Sequence, residues 1–316
     1  MSTKKIITVV GATGAQGGGL VQAILADPNS EFSVRAITRD INSDKAKALE
    51  AQGAEVVAAD LHDPQSLLAA FKGAYGVFGV TFFWNHFSPE TEKQEAKNIA
   101  EAAKEAGVQH VVWSTLEDTR NWVPLSDNRM PTLMNEYKVP HFDAKGESNH
   151  FFSDLELPVT FMLTSFYWDN LLNPGMAPQK GPDGKWAFNL PMGDKKLPGI
   201  GAEDIGKSAY GIFQAGQAYI GKTVGIAGEH LTGAEMAQAL SEALGQEIAY
   251  NAVPFEIYRN LGFPGADDLG NMFQFKHDFE SDFCAARNLD ESRKLNPSIQ
   301  TFSQWLNKHK AQIPLG

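Results

Sequence analysis

Seven residues, Gly11-Ala12-Thr13-Gly14-Ala15-Gln16-Gly17, constrain this chain more than any other stretch. They come after the β-branched run Ile6–Val10 and open an amphipathic segment, Gln16–Ala26. Glycines between a buried strand and a helix allow a tight turn and let the main chain approach a pyrophosphate. The helix start then offers free N–H donors and the positive end of the dipole. The spacing is G-x-x-G-x-x-G, not G-x-G-x-x-G. Glycines alone are weak evidence, but these sit between the right two elements inside a β-α-β unit of about 30 residues. The expectation is a dinucleotide site.

The chain then repeats the strand–helix pattern. Strands are expected at 33–38, 55–59, 75–80, 110–114 and 159–164, with helices at 43–52, 64–71, 88–106 and 142–155. Strand–helix alternation with short joints predicts an α/β fold: a Rossmann-type, doubly wound parallel sheet. Beyond strand six the periodicity weakens. A hairpin turning at Asp183-Gly184, a strand at 223–227, a helix at 232–244 capped by Thr232 and Glu235, a strand at 248–253 and a helix at 302–310 suggest a smaller, mixed α/β part. The expected units are 1–166, binding the nucleotide, and 167–316, forming the other wall of the crevice. The polar connection 117–140 and the segment after Thr81 are expected to lie over that crevice as gates.

Composition narrows the partners. With 27 Lys+Arg against 38 Asp+Glu, the net charge of −11 argues against nucleic acid and anionic membrane surfaces. The single cysteine, Cys284, can form no internal disulfide or thiolate-rich zinc site and suggests a reducing compartment, the cytoplasm or nucleus. Met1-Ser2-Thr3-Lys4-Lys5 looks like a signal n-region, but the apolar run behind it is too short, and no run is long enough to span a bilayer. No metal is expected, because His141, Asp143, Glu147 and His150 lack ligand spacing on one helical face.

GATGAQGG at 11–18, Thr38-Arg39, QGAEVV at 52–57, HFDAKGE at 141–147 and GFPGADDLGNMF at 262–273 together resemble the NmrA-like family, atypical members of the short-chain dehydrogenase/reductase superfamily. The resemblance runs through nearly the whole chain. It implies an NADP-binding Rossmann domain, a small second domain and often a cofactor-sensing role. At the end of strand two an acid would select NAD and an arginine NADP. Arg39 stands there, with Asn42, Ser43 and Lys45 as further phosphate partners, and Asp40 comes one place too late. Topology and resemblance together add Asp60 and Leu61 beside the adenine. They also add Thr81, Phe82 and Phe83 towards the nicotinamide, where the two phenylalanines read equally well as core. Tyr167, Trp168, Asp169 and Asn170 match a cofactor-contact segment of the family, although the residues alone suggest inter-domain packing.

A reductase also needs a proton donor. The superfamily uses the tyrosine of Tyr-x-x-x-Lys. Here Lys145 and a strand-end Ser114 are kept, but His141 stands in the tyrosine's place, and Tyr137 cannot share Lys145's helical face. Two functions fit these residues. One is an NADP(H) sensor that reports to a regulatory protein partner, as a monomer or homodimer. The other is an NADPH-dependent reductase of quinone-like or carbonyl substrates, with His141 as a candidate acid. The residues favour the first.

Overall fold

The structure, a computed structural model, describes residues 4–315. The Met1-Ser2-Thr3 part of the N-terminal reading lies outside them. Six strands come first: β1 (Lys5–Val9), β2 (Phe32–Thr38), β3 (Glu55–Ala58), β4 (Gly76–Gly79), β5 (His110–Thr115) and β6 (Val159–Leu163). They alternate with α1 (Ala15–Ala26), α2 (Asp44–Ala51), α3 (Pro64–Phe71), α4 (Pro89–Glu105), α5 (Pro140–Glu147) and α6 (Asn149–Asp154). Later strands are β7 (Phe166–Tyr167), β8 (Gln179–Lys180), β9 (Trp186–Leu190), β10 (Lys196–Ile200), β11 (Thr223–Gly225), β12 (Glu229–Thr232) and β13 (Ile248–Ala252). Later helices are α7 (Ala202–Ala215), α8 (Gly233–Leu244), α9 (Phe255–Arg259), α10 (Ala266–Asp278), α11 (Glu280–Ala285), α12 (Leu289–Leu295) and α13 (Phe302–His309).

The central sheet runs β11-β6-β5-β4-β1-β2-β3, all neighbours parallel. The chain starts at β1, winds out to β3, then jumps back to β4. The switch between β1 and β4 therefore opens a crevice at the carboxyl ends of the strands, where such sheets bind ligands. Strands buried on both faces need uninterrupted apolar runs. β5 is buried at all six positions; its apolar run is Val111–Trp113, and His110, Ser114 and Thr115 at its ends are hydrogen-bonded. Two small sheets, β12-β10-β7 and β13-β9-β8, carry the mixed part.

Two features differ from the reading by pattern. The sheet's last strand, β11, and the helix α7 that packs against α1 both come from beyond residue 166, so the 1–166 unit closes its core with residues of the other half. Their approach is close: a side chain at Gly206 would overlap the backbone of Leu20. The expected helix 142–155 is two helices, broken at Ser148, whose hydroxyl donates back to Ala144 O at 2.7 Å; this i−4 bond bends a helix.

The connection 117–140 is also not a free gate. Asp143, fully buried, accepts from Thr119 N (2.8 Å), Thr119 Oγ1 (2.6 Å), Lys138 N (2.7 Å) and Val139 N (3.0 Å). Val123, Met130 and Tyr137 anchor the strap in the core. No helix among the described residues is long and apolar enough to cross a membrane.

Candidate functional site

A cleft of about 990 Å³ occupies the crevice. Its first wall is mostly main chain. Gly11 turns with φ +65°, and a Cβ at Gly17 would stand 2.5 Å from Gly11 O, so the turn closes only on glycine. The α1 N-cap, Gly14, offers no side-chain acceptor, which leaves the first-turn N–H groups to a ligand. Gly11, Thr13, Gly14, Ala15, Gln16 and Gly17 line the cleft, whereas Ala12 is turned into the core. Arg39, exposed and without an ion pair among the described residues, lies at the rim with Ser43 and Lys45. Asn42 is off the lining: its N–H serves Asp40 Oδ1 at 2.8 Å within the turn. Asp60 and Leu61 line the far end, with Asp60 Oδ1 capping His62 N.

At the floor, Ser114 Oγ donates to Gln16 Oε1 (2.7 Å) and Gln16 Nε2 donates to Tyr167 OH (2.6 Å), which ties β5, α1 and β7 together. Burial pushes the Tyr167 phenol up to about 12, so it is a poor proton donor at neutral pH. Tyr167 and Asn170 line the cleft. Trp168 and Asp169 do not: Trp168 is buried against Phe302 and Trp305, and Asp169 caps α7 through Ala202 N at 2.7 Å. The packing reading of that cluster holds for Trp168, whose indole belongs to the apolar cluster that also holds Phe166, Phe302 and Trp305.

Lys145 lines the cleft but is not free. Its Nζ lies 2.5 Å from Glu92 Oε1, 2.7 Å from Thr81 Oγ1 and 3.0 Å from Thr81 O. Burial alone would raise the Glu92 carboxyl, but the Lys145 ammonium, with help from His86 and Thr81, holds it down at about 2. Glu92, Glu95 and His86 bring ligand atoms within 4.8 Å of one another. Since Lys145 already neutralises Glu92, this set reads as an ion-pair network rather than a metal centre. His141, Asp143, Glu147 and His150 do not converge; Asp143 pins the strap and Glu147 pairs with Arg120 and Lys93.

The second wall is made of side chains. His141, at the start of α5, is held by Asp268 of α10: Nδ1 lies 2.6 Å from Asp268 Oδ1, and the His141 backbone N–H reaches Oδ2 at 3.2 Å. Trp84 and Phe83 pack on its ring, with centroids 4.7 and 6.0 Å away. Phe83 is buried, while Phe82 is 58% exposed at the lip. Leu269, Met272, Phe273 and Lys276 of α10 complete the wall, and no residue of 117–140 lines the cleft. Sequence reading missed α10 and Asp268. The apolar spacing Leu269, Met272, Phe273 marks a helix, but nothing local marks its pairing with a histidine 127 residues away. Cys284 stays outside; burial, then Glu280, pushes its thiol up to about 11.

With the geometry in place, comparison with known proteins adds kinship. A sequence model described as the NmrA-like family matches residues 3–306. The chain is 32% identical over 293 residues to the NmrA-like family domain-containing oxidoreductase FrzB of Cladobotryum sp, covering 85% of this chain and 83% of that protein. Among solved structures it resembles NmrA, a negative transcriptional regulator in complex with NADP (TM-score 0.78, 24% identity, 97% of this chain and 95% of that one). It also resembles the triphenylmethane reductase of Citrobacter sp. complexed with NADP(H) (TM-score 0.75, 22% identity, 96% and 99%).

Proposed function

The chain belongs to the NmrA-like family, and from that premise we propose that it binds NADP(H) along the main-chain wall and reduces an apolar, ring-bearing acceptor against the side-chain wall. The carrying observation is the His141–Asp268 pair, set in the cleft among aromatic rings. The glycine cradle suits a pyrophosphate, and Arg39 with Ser43 and Lys45 suits a 2′-phosphate. NADPH, when bound, supplies a hydride.

The remaining work falls to the chain. Asp268 accepts from Nδ1–H of His141, which orients the ring and stabilises the imidazolium form whose Nε2–H serves the acceptor. As the acceptor gains the hydride, its displaced electron pair moves onto oxygen; the His141 imidazolium gives that oxygen its Nε2 proton, is left neutral with Nδ1–H on Asp268, and regains a proton from solvent before the next turnover. The missing tyrosine is thereby replaced by a histidine one helical turn before Lys145. Lys145 sets the floor through Thr81 and Glu92, and Ser114 orders Gln16 and Tyr167. Oxidoreductase names among the curated relatives support this reading.

A sensor remains the second reading, favoured by one observation: Phe82 stands exposed at the cleft's lip, on the segment after Thr81, where a protein partner would meet it. NADPH oxidation with menadione and a panel of aryl ketones separates the two. Wild type should turn over, and His141→Ala should lose about 10²–10⁴ in kcat with NADPH affinity kept. Tight NADPH binding with no wild-type turnover would leave the sensor.

A further inference from the structure

Lys276 is a buried cation that neither the fold nor the reaction above uses. It is 3% exposed, yet it lines the cleft on the same helix as Asp268. Its terminal nitrogen lies 3.3 Å from Met272 Sδ and is ringed by Phe142, Phe273 and Phe283 at 5.4, 5.7 and 5.4 Å. Among the described residues no carboxylate pairs with it. The charged groups nearby are Arg287 and Glu117, and they are engaged with each other at 2.5 Å. Burial, then Arg287, pushes the ammonium down to about 7. The ring faces offset only part of the cost of burying that charge, which a structural lysine ordinarily meets with an acid or by snorkelling to water.

We propose that Lys276 binds an oxygen of the acceptor, donating a hydrogen bond to it at a second point of the wall that carries His141. The assignment rests on the reductase reading of the same cleft. The side chain folds back along α10 to Met272, so its nitrogen and the His141–Asp268 pair stand at different levels of the same wall. Leu269, Met272 and Phe273 supply the apolar bed between the two polar groups. Reduction takes two electrons and one hydrogen as the hydride, and the second hydrogen as a proton from His141; Lys276 gives up nothing. The same wall disfavours a cationic substrate without oxygen.

The test uses the full chain. In wild type, Lys276 should react with 2,4-dinitrofluorobenzene near neutral pH, read by peptide mass spectrometry, and menadione should protect it. Lys276→Met keeps length and apolarity. It should cut kcat/KM for menadione about ten- to a hundred-fold, mainly through KM, with NADPH affinity unmoved. Reduction of the cationic dye malachite green should hold or rise, and Lys276→Arg should recover much of the menadione rate. An unreactive, unprotected Lys276, or a dye rate that falls in parallel with the menadione rate, would make it a packing residue and overturn the assignment. If wild type reduces nothing while menadione still protects Lys276, the reductase reading fails and the quinone pocket stands.

Discussion

The two walls of the cleft do comparable work by different means. One is built from what side chains leave out: Gly11, Gly14 and Gly17 expose main chain, all within seven residues. The other is built from side chains that meet from afar, with His141 on α5 and Asp268 and Lys276 on α10. Backbone recognition tolerates little change at a few adjacent positions. Convergent recognition spreads its tolerance over many positions and concentrates its demands in pairs.

The largest effect should fall where the walls meet. Lys145→Met leaves the Glu92 carboxylate buried without its countercharge, and breaking such a pair costs about 3–5 kcal/mol, measured by urea unfolding. Glu92→Gln in the same chain should recover part of this. If Lys145→Met weakened NADPH binding without touching stability, Lys145 would belong to the first wall alone.

Acid should loosen the sheet under the first wall. His110 Nε2 meets Thr160 Oγ1 at 2.9 Å, and Thr160 donates onward to Tyr219 O, so Nδ1 has no acceptor and the ring is held neutral, its pKa pushed by burial down to about 4. Unfolded, it titrates near its ordinary value of 6.5. Stability is therefore full above about pH 6.5 and falls as pH drops towards 4, by on the order of 3 kcal/mol. Unfolding series at pH 7 and 4.5 on wild type and His110→Gln check this; an equal loss in both would remove His110 as the cause.

The next contrast is sharper in kind. Gly17→Val forces the turn off Gly11 O, and a displacement of about 1 Å at such a site costs about 10²-fold, here in NADPH affinity by calorimetry. Dinitrophenylation of Lys276 should not change, since it reports the other wall. The smallest effect is at the rim. Arg39→Ala should reduce the preference for NADPH over NADH by about ten- to a hundred-fold.

The same contrast explains what could be read in advance. The glycine spacing, the strand-two arginine and the Ser43 cap lie close together in sequence, so a local reading gathers residues that do line one side of the cleft. Asn42 misled, because its partner is Asp40 in its own turn. Trp168 and Asp169 misled because neighbours in a motif alternate between cleft and core. The strap at 117–140 looked mobile by composition, while Asp143, beyond its end, supplies the acceptor that ties it down. Nothing local announces a bond between residues 141 and 268.

The return of β11 to the sheet has a consequence in time. Chains leave the ribosome from the N-terminus, at about 5–20 residues per second. When β6 emerges, its outer edge has no neighbour, and about sixty more residues, some 3–12 s of synthesis, pass before β11 can pair with it. For that interval the nascent protein carries an open parallel edge and a bare α1, the state most prone to pair with another chain. A holding chaperone would find its target there, on a surface the finished protein no longer has.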